Sequence, residues 1–471
     1  MLEADRKLLA EKAVQLVSHF KADPERTPVL RQGKFDELYR ELWREPPNVP
    51  CSMDALFEQL QVVLEHAGQL THPKCFAFVP GVGNDVSAVA DYIASSLNLA
   101  TGSWLAASGP IVIEQLLLDW FCKLCNLGPQ AGGILLSGGS MANLTALVVA
   151  RNNKLGDDWH QGIIYFSDQT HFSIKRALRI AGFAKEQLRI IPSNEQHRID
   201  LEVLAHKIEE DVVAGLRPFC IVGNAGTINT GSIDDLTGIG NLCRQFKLWF
   251  HVDAAYGLPA MLLDSHREQF EGIDLADSVT FDPHKWLFQN YACGALLVKD
   301  MKNLADAFID DPEYTRDAQV AGREFNYWDY GPEMSRPFRS LKLWMSINYF
   351  GMDAIRAAIR QGISNAEYVE RLLKADRNWE ITSEAQNAVI TFRYKPVCAP
   401  ERLLNDINDR IGKGMLAQSE FFVVSTKLKD MTVIRLCTIN PRTTKEMLEA
   451  CVASLTEIAN KVTQEMLCVV S

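Results

Sequence analysis

Between residues 132 and 298 short apolar runs alternate with amphipathic stretches, and no other feature narrows the fold as far. The runs are GILLSGG, GIIYFSD, PFCIVGNAG, LWFHVDA, SVTFDPH and CGALLVKD. Segments with helical apolar spacing, such as SMANLTALVVARNNK and DLEVLAHKIEEDVVAG, separate most of them. A strand that is apolar on both faces has to be covered on both faces. Strands of this kind alternating with helices predict an α/β fold, a mostly parallel sheet between layers of helices. Ligands in such sheets bind beyond the carboxyl ends of the strands. Chemistry-bearing residues are therefore expected just after the apolar runs.

The flanks differ in character. A charged helical region runs to about Glu45 and is broken by Pro46, Pro47 and Pro50. Beyond about residue 345 two helical stretches precede AVITFRY, FFVVST and MTVIRLCTI, and a last helix starts near Thr444. These changes predict an N-terminal helical segment over 1–70, a large domain over 71–345 and a small C-terminal α+β domain over 346–471. The formal net charge of -11, with no local Lys/Arg block, argues against nucleic acid as a partner. The start, MLEADRKLLAEKAV, has no apolar leader core, and no run of about 18 uncharged apolar residues suggests a membrane span. A cytoplasmic protein is the expectation. Eleven scattered cysteines argue against a disulfide framework. Cys122 and Cys125 read as small residues on a buried helix face, because a zinc site normally needs a second ligand pair. No metal is expected.

Four segments carry candidate chemistry. In SVTFDPHKWLF, Lys285 is flanked by Phe281, Trp286, Leu287 and Phe288. Desolvation there would lower its pKa and free the amine for imine formation, although the segment equally suits a lysine that snorkels to the surface. In LWFHVDAAYG, Asp253 closes an apolar run, where a carboxylate needs a cation or donors. A protonated pyridine nitrogen is such a cation; a cap on the following turn is the plainer alternative. His251, two residues earlier, reads as packing. In LLSGGSMANLTALVVA a strand enters a Gly-Gly-Ser turn and then a helix, a geometry that suits a phosphate, with Ser140 able to donate its hydroxyl. In YFSDQTHFSIKRAL, His171 follows a strand and can lie against a planar ring. A phosphate cradle, a stacking imidazole, a carboxylate and a lysine, each at a strand end, are together the equipment for pyridoxal phosphate.

The stretch from about His72 to Ile439 resembles the group II pyridoxal-phosphate-dependent amino-acid decarboxylases. HVDAAYG and DPHKW carry the likeness, and SGGSMAN and SDQTH reinforce it. AGTINTGSID, HKWLFQ, PEY, RPFRSLKLW and ITFRY make it nearest to bacterial tryptophan, or aromatic-L-amino-acid, decarboxylases. The resemblance implies a fold-type I homodimer with active sites at the subunit boundary. It implies that Gly139 and Ser140 hold the phosphate with His284 beside them and Thr227 nearby. It implies that His171 and Ala255 flank the ring, that Asp253 pairs with the ring nitrogen and that Lys285 carries the cofactor. It also implies that Tyr314, in the polar loop DDPEYTRDAQVAG, protonates the substrate α-carbon after CO₂ leaves, which favours simple decarboxylation over aldehyde formation.

Two positions depart from the family pattern. Ile228 follows Thr227 where Thr-Thr is frequent, and Asp282 stands where aromatic decarboxylases often have Asn. For the substrate pocket, the resemblance points to Phe78 and Trp328 as aromatic walls. Ala100 and Gly102 are small where relatives carry His or Phe, which predicts an opened pocket; Trp104 can refill it, although helix or core packing is the favoured role for Trp104. Arg435 matches a carboxylate-binding Arg of glutamate decarboxylases, with a buried structural ion pair as the alternative. The expected reaction is decarboxylation of an aromatic L-amino acid to its amine. Decarboxylation of an acidic or other non-aromatic amino acid and oxidative aldehyde formation are the alternatives.

Overall fold

The six apolar runs do form strands, and a short seventh joins them. In this computed structural model, which describes residues 3–21, 28–43, 45–310, 313–318, 320 and 324–470, the strands are β1 (Gly132–Leu136), β2 (Gly162–Ser167), β3 (Leu188–Ile191), β4 (Arg217–Asn224), β5 (Trp249–Asp253), β6 (Ser278–Phe281) and β7 (Gly294–Val298). They make one seven-stranded sheet in the order β1-β7-β6-β5-β4-β2-β3. Strands β3, β2, β4, β5 and β6 pair in parallel; β7 runs antiparallel to both β6 and β1. Strands β1, β2, β5, β6 and β7 are buried along their whole length, which is why their sequences are mostly apolar and carry no Lys or Arg.

A second, four-stranded antiparallel sheet is built from β8 (Trp379–Gln386), β9 (Val389–Tyr394), β10 (Val424–Leu428) and β11 (Met431–Cys437), in the order β10-β11-β9-β8. The helices before the first sheet are α1 (Glu3–Lys21), α2 (Phe35–Leu42), α3 (Met53–Glu65), α4 (Asp85–Ser96) and α5 (Trp104–Leu124). Within it lie α6 (Gly139–Leu155), α7 (Phe172–Ile180), α8 (Leu201–Val213) and α9 (Leu236–Phe246). After it come α10 (Lys302–Phe308), α11 (Ser340–Lys374), α12 (Glu401–Gln418) and α13 (Lys445–Val470). Local caps fix several starts: Asp200 accepts from the amides of Glu202 and Val203 on α8, and Asp235 from Gly238 on α9.

Two apolar clusters form the core. The larger surrounds the seven-stranded sheet and the smaller lies between the second sheet, α12 and α13. Helix α11 serves both, with Ile355, Ile359 and Ile363 in the larger and Val369 and Leu373 in the smaller. The segment before α4 also crosses over. Phe76 is buried in the smaller cluster, its amide donates to Phe422 O at 2.9 Å, and its carbonyl accepts from Cys437 N at 3.0 Å.

Helix α5 is long and apolar enough, by composition, to cross a membrane, with a mean hydropathy of 1.3 over its 18-residue window. It escapes notice in the sequence because Glu114, Asp119 and Lys123 are spaced along its later half. Glu114 identifies it as a core helix: the carboxylate is wholly buried, pairs with Arg336 at 2.5 Å and accepts from Leu135 N at 2.9 Å.

Candidate active site

The carboxyl ends of β1, β2, β5 and β6 open onto a cavity of about 410 Å³. Its wall includes Gly138, Gly139 and Ser140 from the β1–α6 turn, His171 from the β2–α7 turn, Ala255 after β5, and Asp282, His284 and Lys285 after β6. Phe78, Val79, Met141 and Ile228 supply apolar wall, and Asn143 and Ser173 polar wall. The crossovers of a parallel sheet deliver these turns to one edge.

The Gly-Gly-Ser turn is tight for a reason visible in its neighbours. A Cβ at Gly139 would lie 2.8 Å from Asp282 Oδ2 and 3.1 Å from the Ala255 methyl. Opposite, a Cβ on Gly294 would come within 2.4 Å of Gly138 Cα, so the start of β7 and the end of β1 touch backbone to backbone. The first turn of α6 therefore presents its amides to the cavity.

Lys285 Nζ lies 3.0 Å from Asp282 Oδ2, and His284 Nε2 lies 3.7 Å from the same oxygen. Burial pushes the Lys285 ammonium down, but the charges of Asp282 and Asp253 and the hydrogen bond it donates to Asp282 outweigh it, and the net direction is up. This reverses the lowered value expected from the apolar neighbours, because the sequence does not reveal that Asp282 turns inward beside Lys285. Asp282 Oδ1 is buried with no hydrogen-bond partner among the described residues. Burial pushes both His171 and His284 down, against the opposing pull of Asp253 on the first and Asp282 on the second. His284 Nδ1 accepts from Cys293 N at 3.2 Å, which leaves Nε2 toward Asp282.

Asp253 ends β5 just behind the cavity wall, 6% exposed. Its Oδ1 accepts from Ala255 N at 3.1 Å and its Oδ2 from Asn143 Nδ2 at 2.9 Å. His251 does more than pack, because Nε2 reaches Asn143 Oδ1 at 3.0 Å and Nδ1 reaches Ser278 Oγ at 2.8 Å. Asn143 is a functional residue not singled out above: it is buried on α6, but the sequence offers no signal that separates it from a polar residue on the helix surface.

Several candidates lie elsewhere. Thr227 is off the cavity wall, because its hydroxyl is tied to Thr230 at 2.8 Å and Ser232 at 2.9 Å while Ile228 takes the wall position. Ala100, Gly102 and Trp328 do not line the cavity. Gly102 opens no pocket either: a Cβ there would meet Met334 O at 2.6 Å and Trp328 Cε3 at 3.1 Å, so Trp328 already fills the space. Trp104 starts α5 and packs on the larger core cluster. Arg435, 2% exposed, also stays behind the wall. It donates to the carbonyls of Phe78 and Ile228 through Nε and Nη1, its Nη2 is buried without a partner, and among the described residues it forms no carboxylate pair, so the structural ion pair is not found. Tyr314 falls in the 3₁₀ turn Glu313–Ala318, and its side chain lies outside the described residues.

The residues present fit pyridoxal phosphate. A lysine amine, a helix N-terminus that only glycine can form here, an imidazole and a methyl group converge on one cavity of cofactor size, with the Asp253 carboxylate just behind its wall. Comparison with known proteins agrees. Residues 37–395 match the pyridoxal-dependent decarboxylase conserved domain. The chain is 41% identical to the aromatic-L-amino-acid decarboxylase of Bacillus atrophaeus, over 86% of this chain and 85% of that protein. It is 30% identical to the phenylacetaldehyde synthase of Arabidopsis thaliana, over 92% and 91% of the two chains. The crystal structure of Oryza sativa TDC with PLP and tryptamine superposes with a TM-score of 0.93, at 26% identity, covering 98% of this chain and 99% of that one. The chain belongs to the pyridoxal-dependent decarboxylase family and is a carboxy-lyase that uses pyridoxal phosphate.

Proposed function

We propose that the enzyme converts an aromatic L-amino acid to its amine and CO₂ at the Lys285 cavity. The observation that carries this reading is the composition of the wall. Phe78, Val79, Met141 and Ile228 line it, and Arg435 lies behind this wall with Nε and Nη1 on the carbonyls of Ile228 and Phe78. The likeness to an aromatic-L-amino-acid decarboxylase supports the same choice.

Pyridoxal phosphate supplies an electron sink for the pair left behind when CO₂ departs. The protein's share is binding, orientation and proton placement. Lys285 Nζ would be the amine that holds the cofactor. Gly139, Ser140 and His284 would hold its phosphate, His171 and Ala255 would flank its ring, and Asp253 would keep its ring nitrogen protonated. The Tyr314 hydroxyl delivers the proton to the substrate α-carbon.

A homodimer is part of the reading. Leu105, Val112 and Leu116 on α5 and Val89, Tyr92, Ile93 and Leu97 around α4 are exposed on the single chain, an apolar face that a second copy would cover. Free cysteines throughout the described residues suit the reducing cytoplasm.

The test is a panel of L-amino acids with amine products identified by mass spectrometry and CO₂ measured alongside. Aromatic substrates giving amine and CO₂ in equal amounts support the reading; release of CO₂ only from acidic amino acids, or from none, overturns it. The likeness to phenylacetaldehyde synthase favours one second reading, oxidative aldehyde formation, which the same assay would reveal as aldehyde with peroxide in place of amine.

A further inference from the structure

A buried hydrogen-bond network behind the cavity has only one consistent set of directions. A carboxylate can only accept. The Asn143 group 2.9 Å from Asp253 Oδ2 is therefore its NH₂, and its carbonyl faces the other way. That carbonyl lies 3.0 Å from His251 Nε2, which must carry a proton to bond it. His251 is fully buried and burial pushes it down to about 4, so the imidazole is neutral and Nδ1 is an acceptor. Ser278 Oγ, 2.8 Å away, donates to Nδ1. Ser278 in turn accepts from the indole N–H of Trp249 at 2.8 Å, a group that can only donate. The two ends of the chain require the same directions.

The network also branches. The second proton of Asn143 Nδ2 points at Ser173 Oγ, 3.1 Å away. Ser173 Oγ lies 2.8 Å from His171 Nδ1, and the Ser173 amide donates to the same nitrogen at 3.3 Å. The amide can only donate, so Nδ1 is an acceptor, and the Ser173 hydroxyl, which accepts from Asn143, gives its own proton to His171. The proton of the neutral ring then sits on Nε2.

We propose that Asn143 is a positioning residue that holds two functional groups at once: it orients the Asp253 carboxylate directly and, through Ser173, fixes His171 as the Nε2–H tautomer. The proposal rests on the reading of Asp253 and His171 as groups that contact the cofactor. It explains why a side chain only 1% exposed on α6 is an amide, although an apolar side chain would avoid the cost of burying polar atoms. It also explains the polar pair His251 and Ser278 on adjacent strands, whose bonds turn the Asn143 amide so that its NH₂ faces Asp253.

The test uses nitrogen NMR of selectively labelled histidine in the apoprotein, together with titration of the apoprotein by pyridoxal phosphate. In the parent, His171 should show a protonated Nε2 and a hydrogen-bonded, unprotonated Nδ1. Ser173→Ala should weaken the Nδ1 bond and mix the tautomers. Asn143→Leu should do the same and also weaken cofactor binding by roughly tenfold or more, the scale of a lost hydrogen bond to a charged group. Asn143→Asp keeps an acceptor for His251 but removes both donated bonds, so it should lose at least as much cofactor affinity. Should Asn143→Leu fail to fold, Ser173→Ala tests the His171 branch and Asn143→Asp the Asp253 branch. Parent-like His171 signals in Ser173→Ala, or parent-like cofactor affinity in the Asn143 variants, overturn the proposal. Asp253→Asn separates the two levels. If it weakens the cofactor while the Asn143 variants do not, the Asn143 role falls alone; if it too binds like the parent, the reading of Asp253 falls with it.

Discussion

Asp282→Asn perturbs the charge of the site while nearly preserving its shape. Lys285 Nζ is 3.0 Å from an Asp282 carboxylate that is 2% exposed. At that distance two unit charges attract by roughly 5 kcal/mol at an effective dielectric of about 20, before desolvation is subtracted. What survives as net stabilisation of the ammonium is on the scale of a hydrogen bond to a charged group, about 1.5–3 kcal/mol. The amide retains a carbonyl acceptor, so the expected loss lies at the lower end. That loss raises the free-amine fraction of Lys285 at fixed pH by about tenfold. Only the free amine attacks an aldehyde, so the apoprotein variant should capture the cofactor about tenfold faster, read by stopped-flow absorbance. Removing a negative charge beside the Gly138–Ser140 turn also favours a phosphate. Pyridoxal, which lacks the phosphate, separates the two effects, and the acceleration should persist with it. Unchanged or slower capture of pyridoxal would refute the reasoning. The sign with pH follows from the raised Lys285 value. The pair's contribution to apoprotein stability is fully present below the ordinary lysine pKa of 10.5 and is lost as pH rises through the raised value.

Four further outcomes are expected. The unfolded chain protonates His251 near its ordinary value of 6.5, whereas the folded chain does so at about 4. Apoprotein stability should therefore fall as pH drops between those values, by about 3 kcal/mol from this group, and urea unfolding of His251→Gln should lack that part of the slope. Gly139→Ala forces a methyl against Asp282 and Ala255, at a cost of about 1–3 kcal/mol; equilibrium titration should show weakened cofactor binding, and unchanged affinity would contradict the close packing. Arg435→Gln releases the carbonyls of Phe78 and Ile228, and Phe78 holds a left-handed φ of 52°. Steady-state kinetics should show KM for an aromatic substrate rising more than kcat falls, whereas a collapse of kcat alone would contradict a wall-positioning role. Glu114→Gln strands the fully buried Arg336 guanidinium and should destabilise the apoprotein by about 3–5 kcal/mol in chemical denaturation.

The fold class was legible because strands buried on both faces leave unbroken apolar runs, as GILL and GALLV do in β1 and β7. The two strands that the sequence hid are edge strands. β3 is half-exposed, and β8, WEITSEAQ, alternates charge with apolar residues. At the site, Gly139, Ser140, His171, Ala255, His284 and Lys285 meet at one cavity because each follows a strand end, and position along the chain predicts that much. What position cannot predict is which way a side chain turns. Thr227 and Ile228 are neighbours, and only the second faces the cavity. Asp282 looks like a family variant until its carboxylate is found beside Lys285. Arg435 and Phe78 are 357 residues apart, and their contact exists only once the second sheet packs against the segment before α4. Asn143 looks like a helix-surface residue in sequence, and only the neighbouring His251, Asp253 and Ser173 disclose its function.

The central claim is that Lys285 is the residue that carries the cofactor. Reduction of the loaded enzyme with borohydride converts the lysine–cofactor bond to a stable secondary amine, which peptide mass mapping then locates. The account predicts one pyridoxyl-phosphate adduct per chain, on Lys285. An adduct on another lysine, or a loaded enzyme from which none is recovered, would contradict it.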